Sequence, residues 1–418
     1  MKHLILSAFS GLALAAVAAP AVTDVTFAEA ANRDVTVTYS LADEPAVVTF
    51  DVTVDGVSLG GEHLRDLSGD VGRIVQPGAD RGLVWRPSRA GARALKGGAV
   101  QVAVRAWPTN DPPDYMSVNL LDGVAPGDHV RYYPTAASVP GGVLDPEYRT
   151  SHLLLRKIPA AGVAWTMGSK APESRENSTD VNREVAHAMQ FPRNYYMGVF
   201  EVTRTQWYLV RGTSDPLLNG SALQPMTAIS FLDIRESGAG ANTPNDAYVY
   251  PNPPCPDSFV GQLRTRTGVA FDLPSEAWWE FAARATWGDA TWGDGSDMSG
   301  TDADANLDRL AAYQATAGGA AKPCGSFAPN DFGLYDTAGN VFEWCLDWGY
   351  TARHTRNDLA DGGVQATLYD AKNPVHLLRG GAYDSTARSC RPARRAWATR
   401  NVRGPGYGLR VACPADAK

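Results

Sequence analysis

Asn330-Asp331-Phe332-Gly333-Leu334-Tyr335-Asp336 runs into Gly339-Asn340-Val341-Phe342-Glu343-Trp344. This stretch typifies the chain from about residue 160 onward. Nine of the eleven tryptophans lie in that part, and its strands are short. Much of the rest reads as loop, which needs tryptophan anchors, disulfides or bound ions to hold it. Two helices stand out. Thr203-Arg204-Thr205-Gln206 is a capping box leading into Trp207-Tyr208-Leu209-Val210. Ser275 and Glu276 open a second, in which Trp278, Phe281, Ala282 and Ala285 fall on one apolar face. Glu276 there complements the positive end of the helix.

Upstream the period changes to two. Val35, Val37 and Tyr39 alternate with Thr36 and Thr38. Val48, Phe50, Val52 and Val54 alternate with Thr49, Asp51 and Thr53, and Val100, Val102 and Val104 repeat the pattern. Such alternation predicts strands with one buried and one wet face. Asp55-Gly56 is a hairpin signal. Residues 22–110 therefore read as a small all-β sandwich of immunoglobulin or fibronectin type. It carries no catalytic cluster and suits a spacer or adhesion module. Residues 111–160 read as a linker with one further strand over Leu153-Leu154-Leu155 and Ile158.

Residues 1–21, MKHLILSAFSGLALAAVAAPA, have a basic start, an apolar run from Leu4 to Val17 and two small-x-small sites. The run is too short to span a bilayer comfortably. It reads as a secretory signal peptide, so the mature chain is expected to be exported, without a transmembrane segment. Composition fits a folded, loop-rich protein. There are 41 glycines and 28 prolines in 418 residues, and the apolar fraction of 44% is too high for a disordered chain. The formal charge of −7 argues against a nucleic-acid partner. Outside the cytosol some of the five cysteines (Cys255, Cys324, Cys345, Cys390 and Cys413) should pair, and the odd count leaves at least one over. With no C-x-x-C, a zinc site has little support.

The order of motifs between residues 163 and 413 is specific. Val163-Ala164-Trp165-Thr166-Met167-Gly168-Ser169 comes first, then Tyr196-Met197-Gly198-Val199-Phe200-Glu201-Val202-Thr203. Leu273-Pro274-Ser275-Glu276-Ala277-Trp278-Trp279-Glu280-Phe281 follows, and then the stretch quoted at the outset. Leu378-Arg379-Gly380-Gly381 and Gly408-Leu409-Arg410-Val411-Ala412 close the series. This resembles the formylglycine-generating enzyme family, also called sulfatase-modifying factors. The resemblance implies a C-type-lectin-like α+β domain over residues 161–415.

Enzymes of that family oxidise a substrate cysteine with copper(I) and oxygen, holding the metal between two cysteines five residues apart. Here the second position is Cys390 and the first is Ser385. A neutral hydroxyl is a poor substitute for a thiolate on a soft cation. The family's serine is replaced by Ala382 and its asparagine by Gly406. Cys390 is therefore read in two ways. As a structural residue it pairs with Cys345, a staple worth roughly 3–4 kcal/mol in the chain-entropy model. As a catalytic residue it is a reactive thiol.

The resemblance further implies calcium bound by Asp336, the carbonyls of Gly339 and Val341, and Glu343. A carboxylate at each end with carbonyls between suits a hard cation. The other reading of Glu343 is an ion pair with a C-terminal arginine. A second family calcium site, starting at a pair like Asn306-Leu307, is poorly supported because the connection to Asn330 is short. Asp289, Asp294, Asp302 and Asp304 form an acidic stretch that reads as a solvated loop before it reads as a cation site. Arg388, Arg391, Arg394, Arg395, Arg400, Arg403 and Arg410 crowd between 388 and 410. They suit either an anion or acidic-peptide site or internal pairing with Glu201, Glu276, Glu280 and Glu343. The seven histidines show no H-x-H or H-x-x-x-H spacing, and the added helical domain of the iron-dependent sulfoxide synthases is absent. The expected product is an exported, non-oxidase member that binds a peptide, protein or glycan on loops around residues 383–407. Two alternatives are a copper-dependent oxidase that matures sulfatases and an architectural envelope protein anchored by its sandwich.

Overall fold

The computed structural model describes residues 19–95, 99–125, 127–169, 184, 186–214, 222–236, 246–285, 290–349 and 375–416. The apolar run of the expected signal peptide, together with Asp289 and His354, lies outside the described residues. Among the described residues no helix is long and apolar enough to cross a membrane. The described chain is mostly strand and loop, with four short α-helices.

The N-terminal region contains strands β1 (Ala21–Glu29), β2 (Val35–Ala42), β3 (Ala46–Val54), β4 (Val57–Ser58), β5 (Leu67–Gly69), β6 (Arg73–Val75), β7 (Gly78–Trp85) and β8 (Val100–Pro108), with α1 (Arg89–Ala94) before the last. One antiparallel sheet has the order β1-β2-β7-β5. In the other, β8 pairs with β3 along its whole length, and β4 and β6 also pair with β3. The alternation in β2 buries Val35, Val37, Tyr39 and Leu41. They meet Val48, Phe50, Val52, Leu83 and Trp85 in one core.

The second face of β3 departs from the expected wet face. Val47 is fully buried and belongs to the core of the C-terminal part, with Met116, Val118 and Tyr132. Thr49 is 3% exposed, and its hydroxyl accepts from Trp107 Nε1 at 2.9 Å. The β-rich region is thus docked through this strand, and a threonine tolerates burial there because its polar atom is paired. The Tyr132 amide donates to Gly72 at 2.9 Å, and Arg73 pairs with Asp128 at 3.2 Å across the same seam.

Residues 111–160 do more than link. They supply β9 (Tyr115–Asn119), β10 (Val130–Tyr133) and β11 (His152–Ile158). With β14 (Tyr195–Gly198) and β19 (Ala412–Pro414), these make a five-stranded antiparallel sheet of order β10-β9-β11-β14-β19. The run Leu153-Leu154-Leu155 reads as unbroken because the sheet is buried on both sides. Leu153 and Leu155 join one core, and Leu154 joins another with Val199 and Phe200. Between these strands in sequence, β12 (Ala164–Met167) and β13 (His187–Gln190) pair antiparallel.

Helix α2 (Arg204–Arg211) has the expected capping box: Thr203 accepts from the Gln206 amide, and Gln206 reaches back to the Thr203 amide. Helix α3 (Phe259–Thr267) went unanticipated, although Ser258 caps it and Gly268 ends it. Helix α4 (Glu276–Arg284) is capped by Ser275, and all nine residues are buried, not one face only. A further sheet combines β15 (Phe342–Trp348), β16 (Val375–Arg379), β17 (Ala396–Thr399) and β18 (Tyr407–Gly408) in the order β17-β16-β15-β18.

Burial of α4 all round is possible because its charged residues are paired. Glu276 accepts from Arg379 and, at 2.6 and 3.0 Å, from Arg395. Glu280 accepts from Arg379 at 3.2 Å, from Arg284 at 2.9 Å and from the Gly168 amide at 2.8 Å. Arg379 has no exposed side-chain surface. Removing one partner would leave the other charge buried and uncompensated. Arg379→Ala is expected to cost about 3–5 kcal/mol in denaturant unfolding. Arg33→Ala, which removes an exposed pair with Glu29, should stay within about 0.5 kcal/mol of the parent. Equal effects would refute the network's role.

Candidate functional site

The residues in the position of the family's copper pair lie just beyond β16. Gly380 and Gly381 turn the chain at φ +90° and +78°. A Cβ at Gly381 would sit 2.7 Å from Cys390 Sγ, so glycine is required both by conformation and by space. The following loop is pinned to its neighbours. The Gly339 amide donates to Gly380 at 2.8 Å, Tyr383 to Asn340 at 2.9 Å, and Gln314 to Ser385 at 2.9 Å.

Within that loop Ser385 serves the backbone. Its hydroxyl accepts from the Ala382 amide at 3.0 Å while its own amide donates to the Ala382 carbonyl at 2.9 Å. Cys390 is fully buried, packed with Trp292, Leu307 and Tyr313. Burial pushes its thiol up to about 12. A Cβ at Gly406 would approach Ala382 Cβ to 3.2 Å, so a larger residue there would crowd the loop. These residues do not fit copper(I). One soft donor is held as a buried thiol, and the other position offers a hydroxyl committed to a turn.

The expected Cys345–Cys390 staple is not formed. All five cysteines are free and buried. Cys345 packs with Trp279 and Leu377 on β15, and Cys390 belongs to the separate cluster around Trp292.

The loop from Asp336 to Glu343 is held in the left-handed region at Asp336, Gly339 and Asn340. Gly339 passes so close to Ala312 that a Cβ would meet its carbonyl oxygen at 2.2 Å. Glu343 is paired by Arg410: Nε lies 3.1 Å from both carboxylate oxygens and Nη2 lies 2.7 Å from one. Trp279 Nε1 adds a bond at 2.6 Å. Its four lone-pair positions are therefore in use. At the other end Asp336 Oδ2 accepts from the Gly325 amide at 2.6 Å, while Oδ1 is buried without a partner. The open donor at Asp336 suits a cation, and the saturated, guanidinium-bound Glu343 does not. The four expected calcium ligands thus do not fit as one set, because Arg410 already supplies the positive charge at Glu343.

Asp336 instead shares its surroundings with two residues that the sequence did not bring together with it. Ligand atoms of Glu201, Cys324 and Asp336 lie within 4.8 Å of one another, and all three residues are buried. Glu201 accepts from Asn340 Nδ2 at 2.5 Å, from the Val341 amide at 3.2 Å and from Cys324 Sγ at 3.5 Å. Burial, then the charges of Asp336 and Glu343, push the Glu201 carboxyl well above its ordinary range. Burial likewise raises Asp336 from 3.8 to about 6.

The arginine cluster is largely spent inside the protein. Arg391 pairs with Glu184 at 2.8 Å, Arg395 with Glu276 at 2.6 Å and Arg400 with Glu236 at 2.9 Å. Arg403 pairs with Asp233 at 2.7 Å, and Arg410 with Glu343 at 2.7 Å. The acidic stretch is also locally satisfied. Asp304 collects the amides of Ser299, Gly300, Asn306 and Leu307, and Asp294 those of Ser296 and the Arg309 guanidinium. Among the described residues Asp302 belongs to no group of side chains that could hold a metal ion, and Asn306 Nδ2 donates to the Asp297 carbonyl at 2.8 Å.

The family model described as "Sulfatase-modifying factor enzyme 1-like domain" matches residues 161–415. A formylglycine-generating enzyme of Streptomyces coelicolor is 32% identical over 164 residues, 34% of this chain and 47% of that protein. The chain spans about half the length of the curated formylglycine-generating enzymes that it matches first. The chaperone protein LppX of Paenibacillus barcinonensis is 24% identical over 246 residues, 52% of this chain and 79% of that protein. Among solved structures, Treponema denticola variable protein 1 aligns with a TM-score of 0.46 and 23% identity, covering 63% of this chain and 95% of that one.

Two outcomes follow from the geometry. Unfolded, Asp336 titrates near 3.8; folded, near 6. Between those values the native state keeps a proton that the unfolded chain has lost, so stability falls as pH rises through this window. Asp336→Asn should flatten that slope in urea titrations from pH 4 to 6; an unchanged slope would contradict the assignment. Separately, iodoacetamide in guanidinium without reductant should label both Cys345 and Cys390, whereas a linked peptide would restore the staple.

Proposed function

Because the chain belongs to the sulfatase-modifying factor enzyme 1-like family, we propose that it is an exported member that binds a peptide, protein or glycan and does not oxidise cysteine. One observation carries this reading: the Ser385 hydroxyl closes a turn where the oxidases need a soft ligand. The retained Cys390 is buried and held as a thiol, so it offers no thiolate at neutral pH.

The binding surface belongs to the loops between 383 and 407. Asp384, Asn401, Val402 and Pro405 are exposed there. Beneath them Arg391, Arg395 and Arg400 are locked to buried carboxylates, which holds the loops on a rigid base. A relative matched over a longer stretch carries the name of a chaperone and not of an oxidase. Calcium is not required for this role.

The oxidase reading is tested directly. Purified protein, copper(I), oxygen and a cysteine-containing peptide should give no aldehyde product and no oxygen uptake. Turnover that disappears in Cys390→Ala would overturn the proposal. Binding to a peptide or glycan array should survive Cys390→Ala and fail in Val402→Asp. EDTA should leave the melting midpoint unchanged; a clear fall would reinstate the four-ligand calcium set.

A further inference from the structure

A cleft of about 220 Å³ lies where the segment after α3, the entry to α4 and strand β19 come together. None of residues 383–407 lines it. Its walls are apolar: Tyr250, Leu273, Trp278, Leu346 and Pro414. The indole of Trp278 is fixed, lying flat on the Tyr195 ring at 4.3 Å and 2°. Tyr195 in turn donates to the Trp278 carbonyl at 2.7 Å. One wall is therefore a rigid aromatic plate.

The charge in the cleft is unbalanced. Asp272 is the one carboxylate among its lining residues. It is already divided between Arg264, at 3.1 Å, and Arg235, at 3.1 Å behind the wall. Arg193 also lines the cleft, is exposed, and makes no hydrogen bond or ion pair among the described residues. Two guanidiniums thus share the one carboxylate, and the third cation, Arg193 of the lining, has no carboxylate of its own among the described residues. Aromatic side chains and an unpaired guanidinium lining one cleft are complementary to a ligand with a planar apolar body and one negative charge. The size limits the body. A cavity of about 150 Å³ accommodates a benzene ring, so this cleft has room for one ring system and a short acidic arm.

We propose that the cleft binds a small aromatic carboxylic acid, with the ring against Trp278 and Tyr250 and the carboxylate on Arg193. This site is independent of the loop surface assigned above. Loss of binding at one leaves the other untouched.

The test uses the full chain and fluorine NMR of 4-fluorophenylacetate. Saturable line broadening is expected. Arg193→Ala should weaken it about tenfold or more, while Arg193→Lys recovers part of the affinity. Neither substitution removes a hydrogen bond or ion pair among the described residues. 4-Fluorophenethylamine, with the same ring and opposite charge, should not bind. Ala270→Trp, at an exposed lining position, should block the cleft. Absence of saturation up to about 10 mM, equal binding of the amine, or an unaltered response in both Arg193→Ala and Ala270→Trp would each overturn the proposal.

Discussion

The buried guanidinium of Arg410 is the contact on which the C-terminal part depends. It is fully enclosed, and every arm is used. It clamps Glu343 of β15, donates to the Gly198 carbonyl at the end of β14 at 2.8 Å, and donates to the Tyr335 carbonyl at 2.7 Å. One side chain thereby joins two sheets and the loop between them. In a body with so little helix, such bonds take over work that helical ladders do elsewhere. Carbonyls in irregular segments need donors, and a guanidinium supplies five in a fixed plane. Arg379 does the same at Glu276, Glu280 and the Pro392 carbonyl.

That economy has a chemical consequence. A carboxylate held by an arginine is not available to a cation. Glu343 is the clearest case, and the paired arginines from 391 to 410 are equally unavailable to an anionic ligand. What remains open for recognition is the outside of the loops and the guanidinium of Arg193, which meets no carboxylate among the described residues. Ser385 is likewise committed, its hydroxyl accepting from the Ala382 amide within a turn.

The N-terminal β-rich region is joined to this body by packing as well as by chain. Strand β3 gives Val48, Phe50 and Val52 to its own core and Val47 to the neighbouring one. The hydrogen bond from Trp107 to Thr49 lets a polar residue occupy the seam without cost to either side. The two parts should therefore keep a fixed relation, unlike domains joined only by a linker.

The sequence by itself determined the motif order, the period-two strands, and the caps of α2 and α4, because each of these depends on residues a few positions apart. Thr203 with Gln206, and Ser275 with the amide of Trp278, are local bonds and are legible as such. It also placed a hydroxyl at Ser385, where the family resemblance implies a thiol. Only the tertiary structure decided which carboxylate meets which arginine. Glu343 and Arg410 are 67 residues apart, and Glu276 and Arg395 are 119 apart; no spacing rule reaches so far. The same holds for Glu201 beside Asp336 and for the separate burial of Cys345 and Cys390. The second face of β3 was hidden for a related reason: alternation reveals that two faces differ, but what covers the polar one is supplied by another part of the chain.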